Sequence, residues 1–344
     1  MTIRTNKKLN MKNYIIVKLL FAVLLFSTCR KKENVFEGPD LNDLYGSFTV
    51  SQAFKANRDS VNFSNGELVS FSADFTKLVE WKITIKGLNS GAKKIITGKS
   101  KIIDAGNSFW NGSTTEFPMF KPEKCAVELT FVTEPDTLRD TVKIIQTKVN
   151  QGFLVADFEG GMMTGWTTFV QSGANMSFGV NTSSPVPQGN KFYNMAGTVN
   201  WDWLIGLIDF PASAYGSPRF PLNANAQNVY FNVLVWGEPG LTNALLLFQF
   251  REDENNNGVF ESSIEDQYDY QLNVNWSGWK LISIKYSDLV TLVNGAPSSP
   301  KGNQLHNPDK LVKISTLHLA NPATGFSKTK MDYIIFTENS ALEP

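Results

Sequence analysis

Asp253, Asn255 and Asn257 alternate along the chain and are followed at once by Gly258. Side-chain oxygens at positions one, three and five with glycine at six suit a calcium ion. The cation takes six to eight hard oxygen ligands, and glycine allows the sharp turn that aims them at one centre. Position twelve is Ile264, with Glu265 one place late; Glu261, Asp266 and Asp269 are further oxygens nearby in sequence. The same letters also spell a hairpin tip, since Asn256-Asn257-Gly258 tolerates positive φ. Both readings stand at this level. Eight tryptophans supply a second chemistry, because an aromatic face can cover the C–H face of a pyranose. Asn200-Trp201-Asp202-Trp203 lies on a predicted loop, and Trp236-Gly237-Glu238-Pro239-Gly240 ends a predicted strand at another. Trp201, Asp202, Trp203 and Trp236 are therefore the candidate glycan-binding residues. Trp110 sits on a predicted turn, whereas Trp81, Trp166 and Trp279 alternate with apolar residues and read as packing.

Catalytic spacing is missing. The chain has no Gly-x-Ser-x-Gly, no His-Glu-x-x-His, no Cys-x-x-Cys and no phosphate-cradling glycine loop. Its two histidines are His306 and His318, the second inside the apolar run Ile314-Ser315-Thr316-Leu317-His318-Leu319 and read as structural. Cys125 falls on the apolar side of an alternating segment and reads as a small core hydrophobe. Paired carboxylates for glycoside hydrolysis are a matter of spatial separation and invisible here. The expectation is a protein that is not an enzyme.

The first 28 residues carry Arg4, Lys7, Lys8 and Lys12 ahead of an apolar run from Ile15 to Phe26, then Ser27-Thr28-Cys29. A basic head, a short apolar middle and small residues at the exit define an export signal. Leu25-Phe26-Ser27-Thr28-Cys29 resembles the processing box of bacterial lipoproteins, which implies lipidation of Cys29. Residues 1–28 hold five of the 32 basic groups and none of the acidic ones, so the remainder carries 27 basic against 32 acidic groups. Mild net acidity without a basic block argues against a nucleic-acid partner.

Stepping along the chain, residues 29–44 are polar and read as a lipidated tether. From 45 to 148, short segments of period two are separated by turn signals: Val69-Phe71-Ala73-Phe75, Trp81-Ile83-Ile85, Val127-Leu129-Phe131. Phe71-Ser72-Ala73-Asp74-Phe75 followed by Trp81-Lys82-Ile83-Thr84-Ile85 resembles the strand pair of Ig-like and PKD-like surface modules, which implies a β-sandwich acting as a spacer. A second all-β domain is expected over 151–340. Ala156-Asp157-Phe158-Glu159-Gly160, Trp276-Ser277-Gly278-Trp279-Lys280 and Met331-Asp332-Tyr333-Ile334 resemble the opening, penultimate and closing strands of galactose-binding-like jelly-roll domains, a fold shared with many carbohydrate-binding modules. That resemblance implies a structural calcium held by Glu159 and Asp332, and period-two geometry places Asp157 on the same face as Glu159. The Asp253 loop likewise resembles an EF-hand-type or dockerin-type loop, departing from it at Ile264.

The fold class expected is thus all-β, an Ig/PKD-like sandwich followed by a jelly-roll sandwich. The function expected is a non-catalytic, cell-surface glycan-binding lipoprotein of Bacteroidota type, lipid-anchored in the outer membrane and accessory to a carbohydrate uptake complex. The rival is a structural or adhesive subunit that binds protein partners, marked by a large solvent-facing apolar patch rather than a groove edged by tryptophan.

Overall fold

The computed structural model of the chain describes residues 46–173, 175–199, 204–321 and 325–344. The export signal, Cys29, the tether, and the glycan candidates Trp201, Asp202 and Trp203 lie outside the described residues.

Six strands form the first sheet: β1 (Val50–Ala56), β2 (Ser60–Asn62), β3 (Phe71–Gly87), β4 (Lys93–Ile103), β5 (Lys124–Phe131) and β6 (Thr137–Gln146). Their order is β1-β3-β5-β6-β2, with β4 also on β3. The 17-residue β3 makes this possible, pairing β1 through its first half and β5 through its second. Alternation sets its inner face: Phe71, Ala73, Phe75, Val79, Trp81, Ile83 and Ile85 are all buried. All pairings are antiparallel except β2 with β6, which is parallel because β2 reaches β6 by a long crossover rather than a hairpin. Cys125 is buried in β5, and burial pushes its thiol up to about 12.

Thirteen further strands follow. They are β7 (Phe153–Ala156), β8 (Thr167–Val170), β9 (Ser177–Asn181), β10 (Phe192–Val199), β11 (Leu204–Pro211), β12 (Val229–Gly237) and β13 (Ala244–Glu252), then β14 (Gln267–Val274), β15 (Gly278–Lys285), β16 (Leu292–Val293), β17 (Ala296–Pro297), β18 (Leu311–Ala320) and β19 (Gly325–Glu338). One sheet runs β15-β12-β19-β10-β9 with β7 also on β19; the other runs β14-β13-β18-β11-β8. The two pack as a β-sandwich, and no described residue lies in an α-helix. The Trp276–Lys280 landmark leads into the edge strand β15, which begins at Gly278; the penultimate strand is β18.

Strand alternation decides what fills the space between these sheets. Phe231, Val233 and Val235 of β12 face Leu246, Phe248 and Phe250 of β13, with Phe210, Ile314 and Phe336 alongside. Phe231 touches Phe248, Phe250 and Phe336 at ring-centroid distances of 5.3, 5.0 and 5.5 Å. Each such side chain contributes about 1.5–3 kcal/mol by leaving water.

His318 lies fully buried in β18, its Nε2 2.9 Å from the Ser327 hydroxyl and its Nδ1 without a partner. Burial lowers its pKa to about 3. The unfolded chain therefore takes up a proton near pH 6.5 that the folded histidine refuses until about 3. Stability present above pH 6.5 should drain away as pH falls through that window. His318→Gln should flatten the acid limb of a melting-temperature profile; an unchanged limb would show that other groups govern it.

Candidate functional site

On the outer surface of the β14-β13-β18-β11-β8 sheet, cross-strand register builds two rows. Asp269, Gln249, Ser315, Asp209 and Thr167 stand opposite one another across all five strands. One step along, Gln271, Leu247, Leu317, Leu207 and Phe169 do the same. The rows are about 7 Å apart, two residues of strand rise. They form a polar strip, in which Asp269 and Ser315 are fully buried by their neighbours, beside a mainly apolar one. Phe169, at the end of the apolar strip, is 46% exposed.

The polar strip is held rigid by its own hydrogen bonds. Arg251, one step further along β13, donates through Nε to Gln267 Oε1 at 2.9 Å, and through its two terminal nitrogens to Ser315 Oγ and Gln249 Oε1 at 3.1 Å each. Ser315 donates to Asp209, which also meets Lys313 Nζ and the Thr167 hydroxyl at 3.4 Å. Gln267 donates to Asp269 at 3.1 Å. Burial lowers the Arg251 pKa and raises that of Asp269 to about 6. None of the strip residues was singled out from sequence except Asp269, as a calcium oxygen; here it faces the Arg251 network. The available signal was the alternation Gln249-x-Arg251 and Lys313-x-Ser315, polar at every second place inside otherwise apolar strands.

Trp236 lies on the other sheet. Its half-buried ring sits opposite Trp279 in the β12–β15 ladder, centroids 5.6 Å apart and tilted 58°. Its indole N–H donates to Glu238 at 2.9 Å, and Lys330 covers it at 4.8 Å. Trp279, expected in the core, is half-exposed because its register with Trp236 puts it on the outer face. Trp110 is the reverse case: it is fully buried, with Phe63 and Phe120 edge-on at 4.8 and 4.9 Å.

The carboxylates near β19 gather at an irregularity. β12 pairs β19 along its length with one extra residue on β19 between Asp332 and Ile335, a β-bulge. There the opposite edge of β19 changes partner from β10 to β7. Asp332 is fully buried at this notch, and its Oδ2 has no hydrogen-bond partner. Burial, then the charges of Glu159 and Asp157, push its pKa up to about 9. Asp157 and Glu159 come together there for a reason other than strand alternation: β7 ends at Ala156, and Phe158 adopts φ 55° between them. Glu159 accepts from the Asn190 and Lys191 amides at 2.7 and 2.8 Å. An orphaned buried oxygen near two further carboxylates is the kind of group a hard cation would satisfy, although among the described residues the three are not drawn into a metal cage.

Around Asp253 the loop closes on itself. Asp253 accepts from the amides of Asn257 and Gly258 at 3.1 and 2.8 Å, and Asn255 and Asn257 accept from Asn257 and Val259. Glu265 sits inside the loop, accepting from Glu254, Asn255 and Glu261 amides. Among the described residues, no three acidic, histidine or cysteine side chains are already gathered into a metal cage. Next to the loop, Glu252 is raised to about 8 chiefly by burial and accepts from the Tyr286 hydroxyl at 2.8 Å.

No known family profile matches the chain, and no curated protein sequence matches it. Among solved structures it is similar to carbohydrate-binding modules of the β-sandwich superfamily at 14% identity and TM-score 0.35, over 86% of this chain and 99% of that one. It is similar to a family 11 carbohydrate-binding module of Clostridium thermocellum in complex with a β-1,3-1,4-mixed-linked tetrasaccharide, at 17% identity and TM-score 0.38 over 58% and 100%. It is also similar to SGBP-B from a complex xyloglucan utilization locus of Bacteroides uniformis, at 10% identity and TM-score 0.32 over 85% and 73%. The fold assignment follows from the chain's own strand pairing.

Trp110→Ala should cost about 3–5 kcal/mol by opening a core cavity. Trp279→Ala, at a half-exposed position, should cost much less. Urea unfolding of the two variants checks the order, and equal losses would contradict the placement of Trp279.

Proposed function

We propose that this chain is a non-catalytic glycan-binding protein, displayed at the cell surface through a lipid on Cys29 and accessory to an outer-membrane carbohydrate uptake system. The single observation that supports glycan binding is the pair of rows across the five-stranded sheet. A pyranose has an apolar C–H face and a rim of hydroxyls. The Leu247-Leu317-Leu207-Phe169 strip suits the first, and the half-buried Gln249 and Asp209, with Arg251 beside them and Ser315 buried beneath as a brace, suit the second. Hydrogen bonds within the polar strip hold donors and acceptors in place before any ligand arrives, which lowers the ordering cost of binding. The carboxyl groups with the largest upward shifts, Asp332 and Glu252, are fully buried and closed to a substrate, which supports binding without turnover.

Structural calcium belongs to the same proposal, at Asp157, Glu159 and Asp332, with the Asp253, Asn255 and Asn257 loop as the second candidate. Calcium bound only to the folded state at a hundredfold excess over Kd stabilises by about 2.7 kcal/mol. The melting temperature should rise with calcium and fall with EGTA, and Asp332→Asn or Asp253→Asn should show which site responds. Identical midpoints in calcium and EGTA would remove calcium from the account.

Phe169→Ala alters an exposed side chain and should leave the melting temperature nearly unchanged, whereas Gln249→Ala removes a half-buried partner of Arg251 and should lower it modestly. Each should weaken binding of neutral oligosaccharides at least tenfold, or about 1.4 kcal/mol. Wild-type protein that binds no member of a broad glycan array, yet captures outer-membrane proteins, would establish the structural reading instead.

A further inference from the structure

A cleft of about 570 Å³ opens on the opposite sheet from the two rows. Its walls come from three separate stretches: Phe117 and Pro118 between β4 and β5, Pro185 between β9 and β10, and Trp236, Trp279 and Lys280 on β12 and β15. The volume is within the usual range for small-ligand sites, about 300–1,000 Å³. Main-chain and side-chain bonds fasten the walls together. The Met119 amide donates to the Pro187 carbonyl, and Lys121 Nζ to the Gly189 carbonyl, both at 2.7 Å. The Trp279 indole N–H donates to the Pro185 carbonyl at 2.9 Å.

We propose that this cleft is a second saccharide site, one that takes a short, uncharged stretch of glycan. The proposal rests on the glycan-binding reading of the first site. Both indole N–H groups are engaged inside the protein, so the rings stand as fixed walls rather than free rotors. Tilted 58° to each other, they make a corner that grips one sugar ring from two sides, unlike the flat strip on the other sheet. Glu116 on the rim is paired with Lys93 at 2.7 Å, and Lys280 sits over the Trp276 ring at 5.1 Å. The Glu116–Lys93 pair cancels its own charge, and the walls are otherwise mainly tryptophan, phenylalanine and proline, which suits a neutral occupant. The Thr115 hydroxyl adds a polar group at the same rim. Two sites on opposite sheets let one protein hold two segments of a polysaccharide, raising retention through effective concentration.

The test is isothermal titration of the full chain with neutral tetrasaccharides built from glucose, xylose or galactose, read for stoichiometry. Wild-type protein should bind two molecules per chain. Trp279→Ala should reduce this to one, as should Phe169→Ala, and the double variant should bind none. Lys280→Ala, a milder change at the rim, should weaken one of the two sites at least threefold with the melting temperature held. Stoichiometry of one in the wild type, lost with Phe169→Ala and untouched by Trp279→Ala, would overturn the cleft while leaving the first site standing. Stoichiometry of one that is lost with Trp279→Ala and untouched by Phe169→Ala would keep the cleft and overturn the rows. A proline-rich peptide held in the cleft and not displaced by any saccharide would also overturn it.

Discussion

The packing of Phe231 against Phe248, Phe250 and Phe336 is the contact on which the rest of this sandwich depends. In a strand, successive side chains point to opposite faces, so burying Phe248 and Phe250 sends Gln249 and Arg251 outward without further choice. A slip of one residue would turn the whole polar row into the core, and the energetic penalty for burying Arg251 unpaired fixes the register firmly. The proposed binding surface is thus a by-product of how the phenylalanines pack. Its precision comes from hydrogen bonds between side chains that the register has already set side by side.

Much of the fold was legible in the alternation of apolar residues, and the all-β sandwich follows from it. The site was less so. The polar row is drawn from five strands between Thr167 and Ser315, and each strand offers only one or two of its members. Sequence shows that Gln249 and Arg251 share a face but not that Asp209 and Ser315 arrive beside them. Tryptophans were weighed by local context, which misled in both directions. Trp110 follows a turn yet is sealed by Phe63 and Phe120, while Trp279 lies amid strand residues yet borders a cleft.

The acidic notch shows a further limit of period-two reasoning. Asp157 and Glu159 flank a residue with φ 55°, so they meet because the strand has ended, not because it continues. The strain at Phe158 and the bulge at Asp332 occur at the one place where β19 exchanges β10 for β7. Local irregularity of this kind depends on pairing with distant segments, and no window of sequence contains it. What sequence did carry was the composition of the notch: the three acids Asp157, Glu159 and Asp332.

The position of β19 has a consequence for how the chain acquires its shape. It lies between β12 and β10 in the middle of its sheet, yet it is made after both. A chain delivered amino-terminus first therefore presents two unpaired strand edges and an open row of phenylalanines until β19 arrives. Pairing such as Val229 with Glu338 spans more than a hundred residues, so closure is a late, long-range event. Until then the sandwich half is exposed to aggregation, and its assembly is bound to the completion of the chain rather than to its progress.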